Sequence, residues 1–304
     1  MSEAGIEIGA LVEHTSPPSG LWRDALRRLK RNPGALLGLS VVALFIFVAI
    51  FAPLLAPHQP NDQNLSLVGS GCCPGPSWGH LMGVDELGRD ELSRVVYGTR
   101  YSLVIGVVSV AVGLSFGMLL GSIAGSIGGT VDGVIMRSMD VMLAIPGLLL
   151  AIGIAAMLGP SLWHVMIAVG VANIPIFARL LRGTVLGQRE SDYVLAARSV
   201  GVRKRVILSS HILPNSMSPV IVAGTLALAT AIIDVAGLGF LGLGSQDPAT
   251  PEWGTMLTNA DLYLGTAPFL ALFPGLAIVV IVLAFNLIGD GLREALDPKL
   301  RGRA

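Results

Sequence analysis

The stretch from Tyr101 to Ala124 reads YSLVIGVVSVAVGLSFGMLLGSIA and contains no charged side chain. As a helix it would be about 36 Å long at 1.5 Å per residue, more than the ~30 Å hydrocarbon core of a bilayer. Lipid offers no hydrogen bonds to a backbone, so an apolar run of this length reads as a spanning helix that satisfies its own N–H and C=O groups. Inside it Gly113, Gly117 and Gly121, continued by Gly125, recur every fourth residue. That ladder cuts a groove down one helix face and lets a neighbouring backbone come close.

Working outward, five further stretches have the same character: Leu36–Leu55, Val134–Leu158, Leu162–Leu181, Ser218–Leu241 and Pro268–Gly289. The expected architecture is an all-α, polytopic membrane protein of six spans. Composition agrees, since 53% of the 304 residues are hydrophobic and only 13% charged, against roughly 25% charged in a soluble domain. The first span follows a polar leader carrying Glu3, Glu7 and Glu13 without a small-residue cleavage site, so it reads as a retained helix and not a signal peptide. No internal repeat, heptad run or low-complexity segment stands out.

Net charge is zero but unevenly distributed. With six spans and both termini on one side, that side collects seventeen basic residues: Arg23, Arg27, Arg28, Lys30 and Arg31; Arg137; Arg179, Arg182, Arg189, Arg198, Arg203, Lys204 and Arg205; Arg293, Lys299, Arg301 and Arg303. The other side keeps Arg89, Arg94 and Arg100. Basic residues accumulate on the cytoplasmic side, so both termini are expected there. The chain then divides into a cytoplasmic segment 1–34, a first span 35–56, an external loop 57–100, a five-helix core 101–289 and a cytoplasmic tail 290–304. The external loop is rich in Pro and Gly, carries Asp62, Asp85, Glu86, Asp90 and Glu91, and reads as an at least partly structured segment near the pore entrance.

Within the core, the cytoplasmic loop 182–216 contains Asp192-Tyr193-Val194-Leu195-Ala196-Ala197-Arg198-Ser199-Val200-Gly201, followed after eleven intervening residues by Leu213-Pro214-Asn215. Paired alanines give a small, flat helix face, Gly201 allows a sharp turn at positive φ, and Pro214 is expected to stop a second helix. Such a helix pair can seat in a cleft.

At these residues the chain resembles the cytoplasmic "EAA" loop of ABC importer permeases, whose Ala-Ala to Gly to Leu-Pro spacing it matches, with Leu195 in place of the Glu and His211 in place of an Ile. The resemblance extends to Trp22-Arg23, Arg31-Asn32, Ala52-Pro53-Leu54-Leu55-Ala56-Pro57, Met82-Gly83-Val84-Asp85, Gly88-Arg89-Asp90, Phe240-Leu241-Gly242-Leu243-Gly244, Trp253-Gly254, Gly289-Asp290-Gly291-Leu292-Arg293 and Leu296-Asp297-Pro298. These look like the C-type permease of dipeptide, oligopeptide and nickel importers. The resemblance implies a type I ABC importer permease fold in the bacterial cytoplasmic (inner) membrane. It also implies a second, B-type permease around the pore, two cytoplasmic ABC ATPases that bind ATP and Mg, and an external solute-binding protein. No cofactor is expected in this chain, and no nucleic acid among its partners.

The residues agree that ATP is handled elsewhere. A phosphate loop needs Gly-Lys-Ser/Thr, whereas Lys30, Lys204 and Lys299 follow Leu29, Arg203 and Pro298. The expected mechanism is mechanical: Tyr193, Ala196, Ala197, Arg198, Gly201 and Val202, with Leu213 and Pro214, transmit ATPase closure to the spans. For Arg198, Arg203, Lys204 and Arg205 the alternatives are simple topogenic charge or contact with lipid head groups.

Asp140 and Asp234 lie within or at the edge of apolar spans, where an unpaired charge costs about 2.5 to 3.5 kcal/mol. Each should face a partner or water, along the peptide path or at a helix end. Pro146, and Asn173 with Pro175, interrupt spans three and four as gating hinges or packing kinks. His211, with no Cys or carboxylate at ligand spacing, reads as a capping or packing residue, and no metal ligands are expected. Cys72 and Cys73 fall in the external loop, an oxidising location, where a vicinal disulfide and two free thiols are both open.

Two other classes share some features. An ion-coupled secondary transporter would carry its own coupling-ion sites and often an inverted repeat, and neither is visible. An intramembrane aspartyl enzyme could be built on Asp140 and Asp234, but Gly-x-Gly-Asp and His-Glu-x-x-His signatures are absent from the sequence. Within the resembling family, short peptides are the expected cargo and nickel the alternative, because no His or Cys pair sits at ligand spacing in a span.

Overall fold

The computed structural model describes residues 21–68 and 72–296. The leader before residue 21, and the tail from Asp297 with Lys299, Arg301 and Arg303, lie outside the described residues. The helices are α1 (Leu21–Leu29), α2 (Pro33–Leu55), α3 (Glu91–Ile127), α4 (Gly129–Leu143), α5 (Gly147–Leu158), α6 (Leu162–Arg189), α7 (Asp192–Ser199), α8 (Lys204–Val206), α9 (Leu213–Phe240), α10 (Trp253–Asp261) and α11 (Phe269–Leu296), with no strand among the described residues.

Five of these are each long and apolar enough to cross a bilayer: α2, α3, α6, the continuous run Lys204–Phe240, and α11. The sixth expected span, Val134–Leu158, is not one helix. It breaks into α4 and α5, which meet at 90°. Pro146 occupies the N-cap of α5, where its missing N–H costs nothing, and Pro also biases the residue before it away from helical backbone. The two ends of the fold meet: the Asn32 side-chain amide at the start of α2 donates to Glu294 Oε2 near the end of α11, at 2.6 Å. With the bent α4–α5 pair counted as one span, the described helices make six.

The glycine ladder on α3 is filled by α6. A Cβ on Gly113 would sit 2.8 Å from the Gly170 carbonyl oxygen, and one on Gly117 2.5 Å from Phe177 Cβ. One on Gly121 would collide with the Ala178 backbone, and one on Gly125 would lie 2.8 Å from Val185 Cγ1. Four successive turns of α3 thus touch α6 backbone or Cβ atoms, which places the axes close together. Around this seam Ile105, Val110, Val165, Met166, Val169, Phe177, Val235 and Leu238 form the central core.

Two of the prolines singled out lie inside continuous helical runs. Asn173 and Pro175 lie inside an uninterrupted α6, where the Asn173 amide returns a hydrogen bond to the Val169 carbonyl at 2.9 Å. Pro214 does not stop a helix either. It stands in the first turn of α9, directly after a π-helical turn Ile207–Ile212. A wider turn just before the proline changes the hydrogen-bond register where its N–H is missing, so α8, the π turn and α9 run on as one element.

The end of the bundle that carries the segment around Asp85 to Arg100 is held by buried polar groups. Arg89 Nε donates to Asp85 Oδ2 at 2.6 Å and Arg89 Nη1 to the Pro248 carbonyl at 2.7 Å, while Arg94 Nη1 donates to the Pro60 carbonyl at 3.2 Å. Arg100 donates to the carbonyls of Ala49 and Ile50. All three basic residues on this side are therefore committed to structural bonds. Gly83 and Gly88 supply the positive φ values, +85° and +75°, on which the turns depend. Cys72 and Cys73 form the vicinal disulfide.

At the same end, Glu252 caps α10, accepting from the N–H groups of Gly254 and Thr255 at 2.8 Å each. Burial pushes its carboxyl above the usual carboxylate range, and those N–H bonds pull it back. Glu252→Ala leaves both buried donors unmatched, at about 2 kcal/mol. The expected result is a melting temperature lower by roughly 4 to 8 °C, measured by scanning fluorimetry of the detergent-solubilised protein.

Candidate functional site

The loop after α6 is built as a short helix on a fixed turn. α7 ends in a left-handed residue, Gly201 at φ +78°. The Gly201 N–H donates to the Arg198 carbonyl at 3.0 Å, and the Val202 N–H to the Ala197 carbonyl at 3.1 Å. This paired bonding, with Val202 packed in the same apolar cluster as Ala197, is a Schellman termination. Its geometry requires glycine at 201, because other L-residues pay to adopt positive φ.

The turn sorts the predicted residues onto two faces. Val194, Ala197, Val202 and Leu213 face inward, in a cluster with Leu181 and Val185 of α6, Ile207, Ile212 and Val220. Tyr193, Ala196, Arg198, Gly201 and Pro214 are exposed. The Tyr193 hydroxyl donates to Gln188 Oε1 at 2.6 Å, tying α7 back to the end of α6. Two residues that sequence reasoning passed over complete the outer face: Leu195, and Val200 at 79% exposure. Both are apolar side chains exposed on a loop with basic neighbours. Beside this face lies a cavity of about 580 Å³ with Arg189, Arg198, Lys204 and Arg205 on its lining.

α7 is thus bonded or packed to α6, the π turn and α9 together. Its inner face therefore packs in one apolar cluster with two spans, α6 and the Lys204–Phe240 helix.

The expected pathway residues separate. Asp140 has found its partner: Arg179 Nη2 of α6 donates to its Oδ1 at 2.5 Å. One turn of α6 further on, Arg182 grips Asp132 of α4 with two donors, Nε to Oδ1 and Nη2 to Oδ2, the latter at 2.6 Å. Two parallel ion pairs therefore tie the inner arm of the bent span to α6. Pro146 marks the elbow of that span, and Asn173 packs against the α3 ladder at Gly113. Asp234 is half-buried on α9 and has no hydrogen bond or ion pair among the described residues. Asp140 and Asp234 share no hydrogen bond, so the aspartyl pair of an intramembrane enzyme is not assembled. His211 offers its carbonyl to the Asn215 amide at 2.8 Å.

Exposed ion pairs are individually weak, but reversing one charge is not. Asp140→Arg sets two guanidinium groups face to face. The expected result is a lower melting temperature of the detergent-solubilised protein, recovered when Arg179→Asp is added, and the double-mutant cycle measured on melting checks it.

At the outer end, sequence reasoning also missed a meeting of side chains. His58, His80 and Asp90, far apart in the chain, bring one ligand atom each to within 4.8 Å of one another.

Comparison with known proteins fits this geometry. Residues 117–302 match the family described as "Binding-protein-dependent transport system inner membrane component", and residues 20–68 match the "N-terminal TM domain of oligopeptide transport permease C". The dipeptide transport system permease protein DppC of Alkalihalophilus pseudofirmus is 48% identical over 280 residues, covering 92% of this chain and 90% of that protein. The di/tripeptide transport system permease protein DppC of Pseudomonas aeruginosa is 45% identical over 293 residues, covering 96% and 95%. The glutathione transport system permease protein GsiD of Salmonella typhimurium is 49% identical over 282 residues, covering 92% and 91%. Among solved structures, one of the inward-facing MetNI methionine ABC transporter aligns with a TM-score of 0.55 over 67% of this chain and 96% of that chain, at 19% identity. At that identity the likeness speaks for the fold alone.

Proposed function

Because this chain belongs to the binding-protein-dependent transport system inner membrane component family, a family of transport permeases, we propose that it forms half of an ATP-driven import pathway for short peptides. The cargo follows from relatives whose names specify dipeptides, di/tripeptides and glutathione, a tripeptide. The termini and the α7 loop face the cytoplasm in this reading, since Arg89, Arg94 and Arg100, the only Lys or Arg residues assigned outside, are consumed by local bonds and the other basic residues of the sequence are assigned to the opposite side.

The observation that carries the reading is the α7 loop: an exposed, small-residue face on a glycine-fixed turn whose other face is locked to α6 and α9. Two cytoplasmic ATPases, which bind ATP and Mg, receive this face on this permease and on a B-type partner. Their closure moves α7, and α7 moves α6 and the Lys204–Phe240 helix between inward-open and outward-open arrangements. The inner arm α4 follows α6 through the Asp132–Arg182 and Asp140–Arg179 pairs, with Pro146 as elbow. Asp234, half-buried without a partner, is the acid left to meet a peptide ammonium. The external binding protein delivers the peptide to the outer end, where the segment 57–90 is fastened by its buried arginines.

The test is uptake of a radiolabelled tripeptide, and in parallel of nickel, by cells lacking the gene, with return of the unmodified chain or of Gly201→Pro. Proline cannot adopt φ +78° and removes the N–H that bonds the Arg198 carbonyl. Tripeptide uptake regained only with the unmodified chain is the expected result. Loss of nickel uptake alone would assign the cargo to metal and leave the coupling scheme standing.

A further inference from the structure

The trio at the outer end is the one group of three His, Cys, Asp or Glu side chains among the described residues with ligand atoms this close. Asp90 stands at the head of α3, and its two carboxylate oxygens have separate tasks. Oδ2 accepts from the Ser93 N–H at 2.8 Å and from the Ser93 hydroxyl at 2.7 Å, capping the helix. Oδ1 faces both imidazoles, with His80 Nδ1 at 2.8 Å and His58 Nδ1 at 3.7 Å. The rings stack with centroids 4.7 Å apart.

Their backbones are pinned too. The His58 N–H donates to the Ser93 hydroxyl at 3.1 Å, and the His80 N–H to the Ser77 carbonyl at 3.1 Å. Ser93 thus links the carboxylate to the main chain of His58, the kind of outer-layer support that orients ligands in metal sites. The Asp90 side chain is 1% exposed and His58 42%. The carboxylate is therefore shielded from bulk water while the site stays open on one side. One imidazole satisfies Oδ1 by a hydrogen bond, and the second, at 3.7 Å, has no such bond to make.

We infer that His58, His80 and Asp90 form a binding site for one divalent transition cation, Zn²⁺ fitting best, that clasps the end of α2 and the outer segment to the head of α3. Imidazole nitrogen and carboxylate oxygen are the donors such ions prefer, and three protein ligands leave a fourth position for water. Metal–ligand bonds of about 2.0 to 2.1 Å place tetrahedral ligand atoms roughly 3.3 Å apart. The separations of 2.8 and 3.7 Å from Asp90 Oδ1 bracket that value, and all three ligand atoms lie within 4.8 Å of one another. Mg²⁺ and Ca²⁺ want six or more oxygens, which the trio does not offer.

The experiment uses the complete transporter, purified without a histidine tag in a Cys72→Ser/Cys73→Ser background that excludes thiol ligation. After stripping with chelator it is dialysed against micromolar Zn²⁺ or Mg²⁺, and bound metal is counted by mass spectrometry. Co²⁺ replaces Zn²⁺ in a parallel absorption measurement. Expected is one Zn²⁺ per complex beyond that retained by His58→Ala, affinity at least tenfold weaker in that variant, and a Co²⁺ visible band that His58→Ala and His80→Ala each lose. His58 is half-exposed at a chain bend, and an unchanged melting temperature of the stripped His58→Ala complex certifies its fold. Equal zinc in the two proteins, or Mg²⁺ bound by the intact complex beyond that retained by His58→Ala, would overturn the assignment.

Discussion

Gly121→Leu is expected to abolish assembly of the transporter. A Cβ at 121 already collides with the carbonyl and Cα of Ala178, and the neighbours are backbone atoms of α6 that no side-chain rotation can move. Overpacking a core costs typically 1 to 3 kcal/mol when side chains can give way. Here the helices themselves must separate, and that would also open the contacts at Gly117 and Gly125, one turn to either side. A loss of several kcal/mol is comparable to the whole net stability of an ordinary domain, about 5 to 15 kcal/mol. The contrast site is Gly133 of α4, where an added Cβ meets nothing within 4 Å. Leucine there gains roughly 1 kcal/mol of helix propensity. Size-exclusion yield of intact complex and its melting temperature separate the two: Gly121→Leu lost, Gly133→Leu retained. If Gly121→Leu assembled and melted like the unmodified protein, the close α3–α6 approach would be wrong.

That ladder was readable from sequence because its signal is local and periodic. Four glycines at one helical spacing announce a groove whatever fills it. The same holds for the α7 turn, where Ala-Ala, three residues and Gly encode both the helix and its left-handed stop within ten residues. What could not be read is what depends on partners distant in the chain. The run from Val134 to Leu158 is largely apolar, broken by Arg137, Asp140 and Pro146, and a proline in such a run signals a kink of unknown size. The 90° elbow arises where α4 is drawn to α6 by Asp132 and Asp140, whose arginine partners lie 50 and 39 residues away. Pro214 misled for the opposite reason. The helix-stopping rule is local, and the π turn before it removes the conflict on which the rule rests. Asp90 reads from sequence only as one acid among five in an external loop. The two histidines that meet it come from positions 58 and 80, and only the folded outer segment gives them a common oxygen.

Ala196→Arg is expected to cut tripeptide uptake at least tenfold while leaving the permease folded. Ala196 is exposed on the face of α7 opposite the buried Val194, so an arginine there projects outward and disturbs no packing. Substitutions of this kind change stability by within about 0.5 kcal/mol, and the melting temperature should barely move. At an interface the same change acts differently. The small flat face that Ala196 shares with Val200 and Gly201 must seat against a partner, and a long cation there brings both a steric bar and a desolvated charge. A tenfold loss needs only about 1.4 kcal/mol of lost docking energy, and one misplaced charge in an apolar contact exceeds that. The diagnostic pattern is permease present at normal levels in the membrane, normal melting, lost uptake, and ATP hydrolysis no longer stimulated by loaded binding protein. Ala197→Arg should fail by a different route, because Ala197 lies in the cluster with Leu181, Val185 and Ile212: its melting temperature falls together with its transport. Should Ala196→Arg transport normally, the outer face of α7 would not be where ATPase motion enters, and the locked inner face would be packing without a coupling role.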